Sequence, residues 1–245
     1  MIEVKNRYYI QRFFADNLSA SDFFKAVHYT SYRGDMSKIP FWYQKDYGHT
    51  GHQSLLMDND AILNMFKSNT RNEVRRAIKE GCQFNKDVEY NSFVDYYNRF
   101  ANEKGLPLLD VATLRKYNRI VLTESNIILD GHKHVLAMHA TLLSAEDKSA
   151  TLMYSCSPRL EDGVDRKLIG WGNRYLHYMD FILFRNMGAE RYEWNGINMN
   201  PETPERYSIG KFKLGFGVEP EESLSLRTPL FTIMRFIRFK LLKKF

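Results

Sequence analysis

The stretch that decides the fold is HVLAMHATLLSAEDKSATLMYSCSPRLEDGVDRKLIGWGNRYLHYMDFILFRNMGAERYEWNGI, residues 134–197. Two runs rich in β-branched and aromatic residues, 134–144 and 149–157, flank the polar turn AEDK, which predicts a β-hairpin. The charged loop PRLEDGVD then leads into a long periodic segment, RKLIGWGNRYLHYMDFILFRNMG. Leu168, Tyr175, Met179 and Ile182 return on one helical face there, and Gly188 supplies the stop. ERYEWNGI follows as a strand. A hairpin, a long helix and a further strand in that order predict a sheet with a helix laid on its face.

Working upstream, Asp58 or Asp60 is placed to cap a helix that carries Ile62, Met65, Phe66, Val74 and Ile78 and ends at Gly81. A second helix, SFVDYYNRFANEKG, sets Phe93, Tyr96, Tyr97 and Phe100 on its apolar side. ATLRKYNRIVL reads as a short helix running into a strand. Downstream come a Pro- and Asn-rich loop, a short helix ending in KFKLGFG, a strand near ESLSL and a final helix. At the N-terminus, YYIQRFF reads as a strand, LSASDFFKAVHY as a short helix, FWYQKDYGHTGHQ as an aromatic loop and QSLLMD as a strand. The expected class is α/β (α+β), with a mixed, mostly antiparallel sheet flanked by helices. Residues 1–53 read as an extension, 54–226 as the main domain and 227–245 as a C-terminal amphipathic helix.

Of the 245 residues, 44% are hydrophobic and 14% aromatic, enough to bury a core and too many for a disordered chain. The N-terminal segment has no apolar run of signal-peptide type, and no stretch reaches the length of a membrane span, so a cytoplasmic location is expected. Cys82 and Cys156 form neither a disulfide framework nor a zinc pattern. The net charge of +6 is concentrated. Residues 227–245 hold Arg227, Arg235, Arg238, Lys240, Lys243 and Lys244 and no acid, which leaves 29 basic against 29 acidic residues in 1–226. A neutral body argues against DNA binding, and a tRNA-sized basic surface is not evident.

Two stretches resemble the FemAB-like branch of the GNAT superfold. SNTRNEVRRAIKEGCQF, residues 68–84, is similar to a family helix of the form TR-x-x-I-R-x-A-x-x-x-G. RYEWNGINMNPETPERYSIGKFKLGFG, residues 191–217, resembles the family's strand–loop–helix closure, with Gly210, Phe212, Lys213, Phe216 and Gly217 at the G…FK-x-x-FG positions. The YSCSP strand end and the long helix lie between them in the expected order, so the resemblance covers about residues 54–220. It implies an N- or O-acyltransferase with acyl-coenzyme A as donor. The implied acceptor is an amine or hydroxyl, such as a lipid-linked sugar or amino-acid group of a cell-envelope polysaccharide precursor. Aminoacyl-tRNA is the alternative donor, and a non-enzymatic membrane-peripheral adaptor the alternative role.

The residue readings follow from that chemistry. A donor pyrophosphate seeks a helix N-terminus, here the loop before the long helix with Arg159, Gly163, Arg166 and Lys167. The usual GNAT phosphate-loop signature does not occur there. Tyr154 is placed to protonate a leaving thiolate or hold the acyl carbonyl. His139, one strand away, is a second base candidate, against the plainer reading of a satisfied structural histidine. Glu193 is the candidate general base, since the resemblance puts an acid near that strand position. Lys213, at the Lys of the FK motif, is the candidate oxyanion or phosphate partner. Trp194, Asn195 and Asn198 cluster beside it as acceptor contacts, and Arg71 and Arg75 on the basic helix suit an anionic acceptor. Cys156 as a nucleophile would need a lowered thiol pKa and reads better as a packing residue. No set of histidines and acids has metal-ligand spacing, so no metal is expected.

Residues 228–245 carry a separate expectation. At 100° per residue, Ile233, Met234, Ile237, Leu241 and Phe245 fall within about 60° of Leu230, while Arg235, Arg238, Lys240 and Lys243 lie outside that stripe. Thr228 and Pro229 suit a helix start. The segment is too short and charged to span a bilayer and is expected to lie on an anionic membrane surface.

Overall fold

The computed structural model describes residues 1–117, 119–158 and 165–242, with side chains described as far as residue 237. The chain divides into two compact units, one of residues 51–219 and one of residues 1–50 with 220–245.

The larger unit is built on a six-stranded sheet. Its strands are β5 (His52–Ser54), β6 (Gln83–Asn85), β7 (Ile120–Leu129), β8 (His132–Ser144), β9 (Ser149–Cys156) and β10 (Arg191–Glu193), in the order β5-β10-β9-β8-β7-β6. Its neighbouring strands all pair antiparallel except β9 and β10, which run parallel. Parallel neighbours need a crossover, and α5 (Arg166–Asn186) supplies it. The periodicity in RKLIGWGNRYLHYMDFILFRN thus has its physical cause. One face of α5 must bury itself on the sheet, and Leu168, Ile169, Leu176, Phe181 and Phe184 do so. Contact is close at Gly172, where a Cβ would run into the Leu136 side chain of β8.

The helix expected from Asp58 to Gly81 is two helices, α1 (Asn59–Met65) and α2 (Ser68–Lys79). The Asp58 carboxylate caps the first by accepting from Ala61 N at 2.8 Å. The chain turns extended at Phe66 (φ −64°, ψ 141°), and Lys67 N donates to the Gly215 carbonyl at 2.9 Å. The break lets the Phe66 ring enter the core, edge-on to Phe181 and Phe216. Helix periodicity alone could not register it. α3 (Tyr90–Lys104) contacts β8 and β9, and α4 (Val111–Arg115) and α6 (Pro204–Leu214) complete the unit.

The smaller unit has a five-stranded sheet of β1 (Ile2–Lys5), β2 (Ile10–Phe13), β3 (Val27–Tyr32), β4 (Gln44–Thr50) and β11 (Glu221–Arg227), ordered β1-β2-β3-β11-β4. The expected aromatic loop FWYQKDYGHTGHQ is in large part β4. It is an edge strand without buried residues, so it lacks the alternation that marks a half-buried strand. LSASDFFKAVHY forms only a 3-10 turn at Ala20–Phe24 before β3 begins. A polar knot anchors this unit. Buried Asp22 accepts from the Arg12 guanidinium and the Tyr29 hydroxyl. α7 (Pro229–Leu242) closes the chain. The Thr228 hydroxyl ties its start to the body, donating to the Lys25 carbonyl at 2.6 Å and accepting from Val27 N at 3.0 Å.

Candidate functional site

The parallel ladder between β9 and β10 holds three residue pairs, Ser149 with Arg191, Ala150 with Tyr192, and Thr151 with Glu193, and then stops. β9 continues to Cys156, paired only with β8 beyond that point. The strand is also bulged there. Ala140 faces Tyr154 and Thr141 faces Leu152, so Met153 is the extra residue. A bulge re-aims the side chains beside it and commonly adjoins a functional site. Between 152–156 of β9 and the chain after Glu193, the sheet opens.

Three contacts fix the far wall of this opening. Asn195 takes a left-handed backbone conformation (φ 55°), one that Asn tolerates better than most residues. Its Nδ2 donates to the Leu152 carbonyl across the gap at 2.5 Å. Lys213, from α6, donates from Nζ to the carbonyls of Trp194 at 2.7 Å and Gly196 at 2.8 Å. Burial lowers the Lys213 ammonium from its ordinary 10.5 to about 8. α6 fits closely under the loop because residue 210 is glycine; any Cβ there would strike the Asn198 carbonyl. The Asn198 side chain shapes the same loop by accepting from Asn200 N at 2.7 Å. Trp194 is fully buried against His177, Phe181 and Phe216.

The structure therefore brings Trp194, Asn195, Asn198 and Lys213 to one corner, with Glu193 at the strand end beside it. Glu193 is buried and lies 3.1 Å from the Arg191 Nε. Tyr154 stands on the β9 wall, with its ring edge-on to Tyr97 of α3 and its hydroxyl bonded to Tyr117. A groove at this strand end is lined by Tyr96, Phe100, Glu103, Ser157 and Pro158. Cys156 is buried, its thiol donates to the Met138 carbonyl at 3.6 Å, and burial pushes its pKa far up, the opposite of an activated nucleophile.

His139 does not share a face with Tyr154. Neighbouring strand positions alternate; Tyr154 pairs with Ala140 and turns towards α3, whereas His139 turns towards α5. There it belongs to a buried polar network. His139 Nδ1 donates to Asp180 Oδ2 at 2.7 Å, Thr123 donates to Asp180 Oδ1 at 2.8 Å, and His139 Nε2 lies 3.1 Å from Asn173 Oδ1. The His177 ring lies 4.2 Å from that of His139. Burial first, then the charges of His139, Lys213 and Arg174, hold His177 well below its usual pKa. Donor atoms of His139, His177 and Asp180 lie within 4.8 Å of one another, a grouping that could ligate a metal ion. Both Asp180 oxygens and His139 Nδ1 are already hydrogen-bonded, so an ion would have to displace those bonds. His177, Asp180 and Asn173 were missed in the sequence. Their signal was present as polar residues at 173, 177 and 180 on the otherwise largely apolar buried face of α5.

The remaining candidates lie apart. Arg71 donates to the Asn64 carbonyl at 3.1 Å, bracing α2 to α1, and Arg75 is exposed on α2. Arg166 and Lys167 are exposed at the start of α5, where the Asp165 carboxylate caps the helix by accepting from Lys167 N at 2.8 Å. Arg159 and Gly163 lie outside the described residues.

The chain has structural counterparts among solved structures. FemX matches with a TM-score of 0.67 at 12% identity, over 96% of this chain and 84% of that one. The fold is that of FemX. L-PGS from Bacillus licheniformis matches with a TM-score of 0.60 at 10% identity, over 96% of this chain and 84% of that one. The C-terminal domain of a putative lysylphosphatidylglycerol synthetase from Agrobacterium fabrum matches over the same shares, with a TM-score of 0.56 at 10% identity. No family model matches the chain, and no curated protein matches it in sequence. The fold shared with FemX agrees with the FemAB-like fold that the two motifs led us to expect.

Proposed function

We propose that the protein is a transferase that moves an activated acyl or aminoacyl group onto an amine or hydroxyl acceptor at the β9/β10 opening. The observation that carries this reading is the end of the parallel ladder at Thr151 and Glu193, with Asn195 reaching across to Leu152. Beyond that ladder β9 pairs with β8 alone, and its other edge suits a donor segment laid alongside. In the proposed step the acceptor attacks the donor carbonyl carbon directly, and the carbon–sulfur or carbon–oxygen bond to the carrier breaks. Glu193 takes the acceptor proton, directly or through a water, and Tyr154 returns one to the leaving group. Lys213 acts through the loop, holding the Trp194 and Gly196 carbonyls so that Asn195 keeps its position. Cys156 takes no part, and Cys156→Ala retains activity; an acyl group trapped on Cys156 would overturn direct attack.

Acyl-coenzyme A is the proposed donor, with Arg166 and Lys167 at the start of α5 as phosphate contacts. The Asp165 cap means that the phosphate relies on these side chains more than on free backbone N–H groups. Aminoacyl-tRNA is the second reading. It is favoured by the likeness to FemX and to a putative lysylphosphatidylglycerol synthetase, a name that implies a lysyl group joined to a lipid. The proposed acceptor is a sugar or amino-acid group of a cell-envelope precursor, met at the cytoplasmic face. The deciding experiment offers the full-length protein labelled acyl-coenzyme A thioesters and, separately, charged tRNAs. Label leaving the coenzyme A thioester, and slower loss in an Arg166→Ala/Lys167→Ala variant, supports the first reading. Label leaving only the tRNA supports the second, and turnover of neither donor refutes the transferase.

A further inference from the structure

The whole positive excess of the chain sits in the smaller unit. Residues 1–50 and 220–245 hold thirteen basic and seven acidic residues, while 51–219 hold twenty-two of each. The acids of this unit are largely engaged within it. Glu3 and Asp22 pair with Arg12, Asp35 with Lys38, and Asp46 with Arg227. Residues 228–245 carry five cations and no acid.

The same unit exposes large apolar side chains. On α7, Phe231 packs inward, stacked on His28 and edge-on to Tyr9, and Thr232 reaches Gln44. The stripe from Leu230 through Ile233 to Ile237 points the other way, each residue 40% exposed or more. The start of α7 adjoins the 3-10 turn, through the Thr228–Lys25 bond, and that turn carries Phe24 at 80% exposure. Phe23 bridges Phe24 to Trp42, and the neighbouring Phe41 is 97% exposed. A run of exposed aliphatic and aromatic side chains, in a segment whose sequence is rich in cations, is costly in water and suits a lipid interface.

We infer that this face, made of Leu230, Ile233 and Ile237 of α7 with Phe24 and Phe41, docks the protein on the surface of an anionic phospholipid bilayer. Charge decides the occupant. A second copy would bring two units of like charge together, which opposes self-association. A nucleic acid would meet the cations but leave the aliphatic stripe unserved. An anionic leaflet meets both, drawing the cations to the headgroups while the stripe enters the acyl boundary. Among the described residues no helix is long and apolar enough to cross a membrane. The attachment inferred here is made by this face, and it does not depend on the transfer chemistry proposed above.

The test is co-sedimentation of the full-length protein with phosphatidylcholine vesicles, with and without phosphatidylglycerol. Three proteins are compared: the wild type, a Leu230→Ser/Ile233→Ser/Ile237→Ser variant and a Phe24→Ser/Phe41→Ser variant. Thermal unfolding verifies that each variant is folded, and sedimentation velocity gives the oligomeric state. The expected result is binding only to phosphatidylglycerol vesicles, reversed by salt, and weakened about a hundredfold in the α7 variant. The Phe24/Phe41 variant is weakened by a smaller factor. Absence of wild-type binding, or equal binding by a folded α7 variant, would overturn the inference. So would a wild-type dimer that the α7 variant dissolves, since the stripe would then be an interface between copies.

Discussion

Two polar regions of the larger unit invite comparison, the network beneath α5 and the opening between β9 and β10. Both interrupt an apolar core, yet they solve opposite problems. In the network, the Asp180 carboxylate is fully buried, and its two oxygens accept from Thr123 and His139. A buried charge persists only when it is satisfied in this way. In the opening the sheet itself is left incomplete, and one Asn side chain bridges what a strand would have closed. A carboxylate held at both oxygens ties the helix to the sheet. An unfinished ladder leaves a strand edge beside which a further segment can lie. The function proposed above assigns chemistry to the second and a structural part to the first.

The comparison breaks if the network can be dismantled cheaply. Asp180→Ala strips the acceptor from the His139 Nδ1–H and the Thr123 hydroxyl. It is expected to cost about 3–5 kcal/mol in urea unfolding, the scale of removing one partner of a buried charged pair. A loss under 1 kcal/mol would make the network incidental. The opening should respond in the reverse sense. Asn195→Gly keeps the left-handed backbone and removes the side chain that bridges to Leu152. Stability should change by about 1 kcal/mol, while turnover of whichever donor proves active falls tenfold or more. A variant with unchanged turnover would detach Asn195 from function.

A subtler test uses pH. Lys213 loses its proton near pH 8 in the folded protein, whereas in the unfolded chain it keeps it to about 10.5. Between those values the unfolded state binds more protons, so this group's contribution to stability rises with pH. Below pH 8 the cost of burying the ammonium is borne in full. Wild-type melting temperature should therefore gain on that of Lys213→Met as pH rises from about 8 towards 10.5. A constant difference across that window would mean that Lys213 is no more buried than an ordinary surface lysine.

Much of the architecture was legible in the sequence because α5 and the β8–β9 hairpin declare themselves by period. The corner at Trp194–Lys213 was legible through the FK motif, although the motif did not reveal that the Lys213 ammonium spends two N–H groups on backbone carbonyls. The break at Phe66 was hidden because both flanking helices keep the same apolar phase. β4 was hidden because an edge strand with polar residues on both faces has no alternation to read. The separation of His139 from Tyr154 could not be read at all. It depends on strand parity past a bulge, and a single inserted residue reverses the face of everything beyond it.

The central claim is that a donor's acyl group lies in the β9/β10 opening, and amide hydrogen exchange tests it without knowledge of the acceptor. The full-length protein is compared alone, with saturating acetyl-coenzyme A, and with charged tRNA. The account predicts that one of the two donors slows exchange at 152–155 and at 194–196 together, and that Asn195→Gly abolishes the effect. Protection by either donor that leaves both segments unchanged would contradict it.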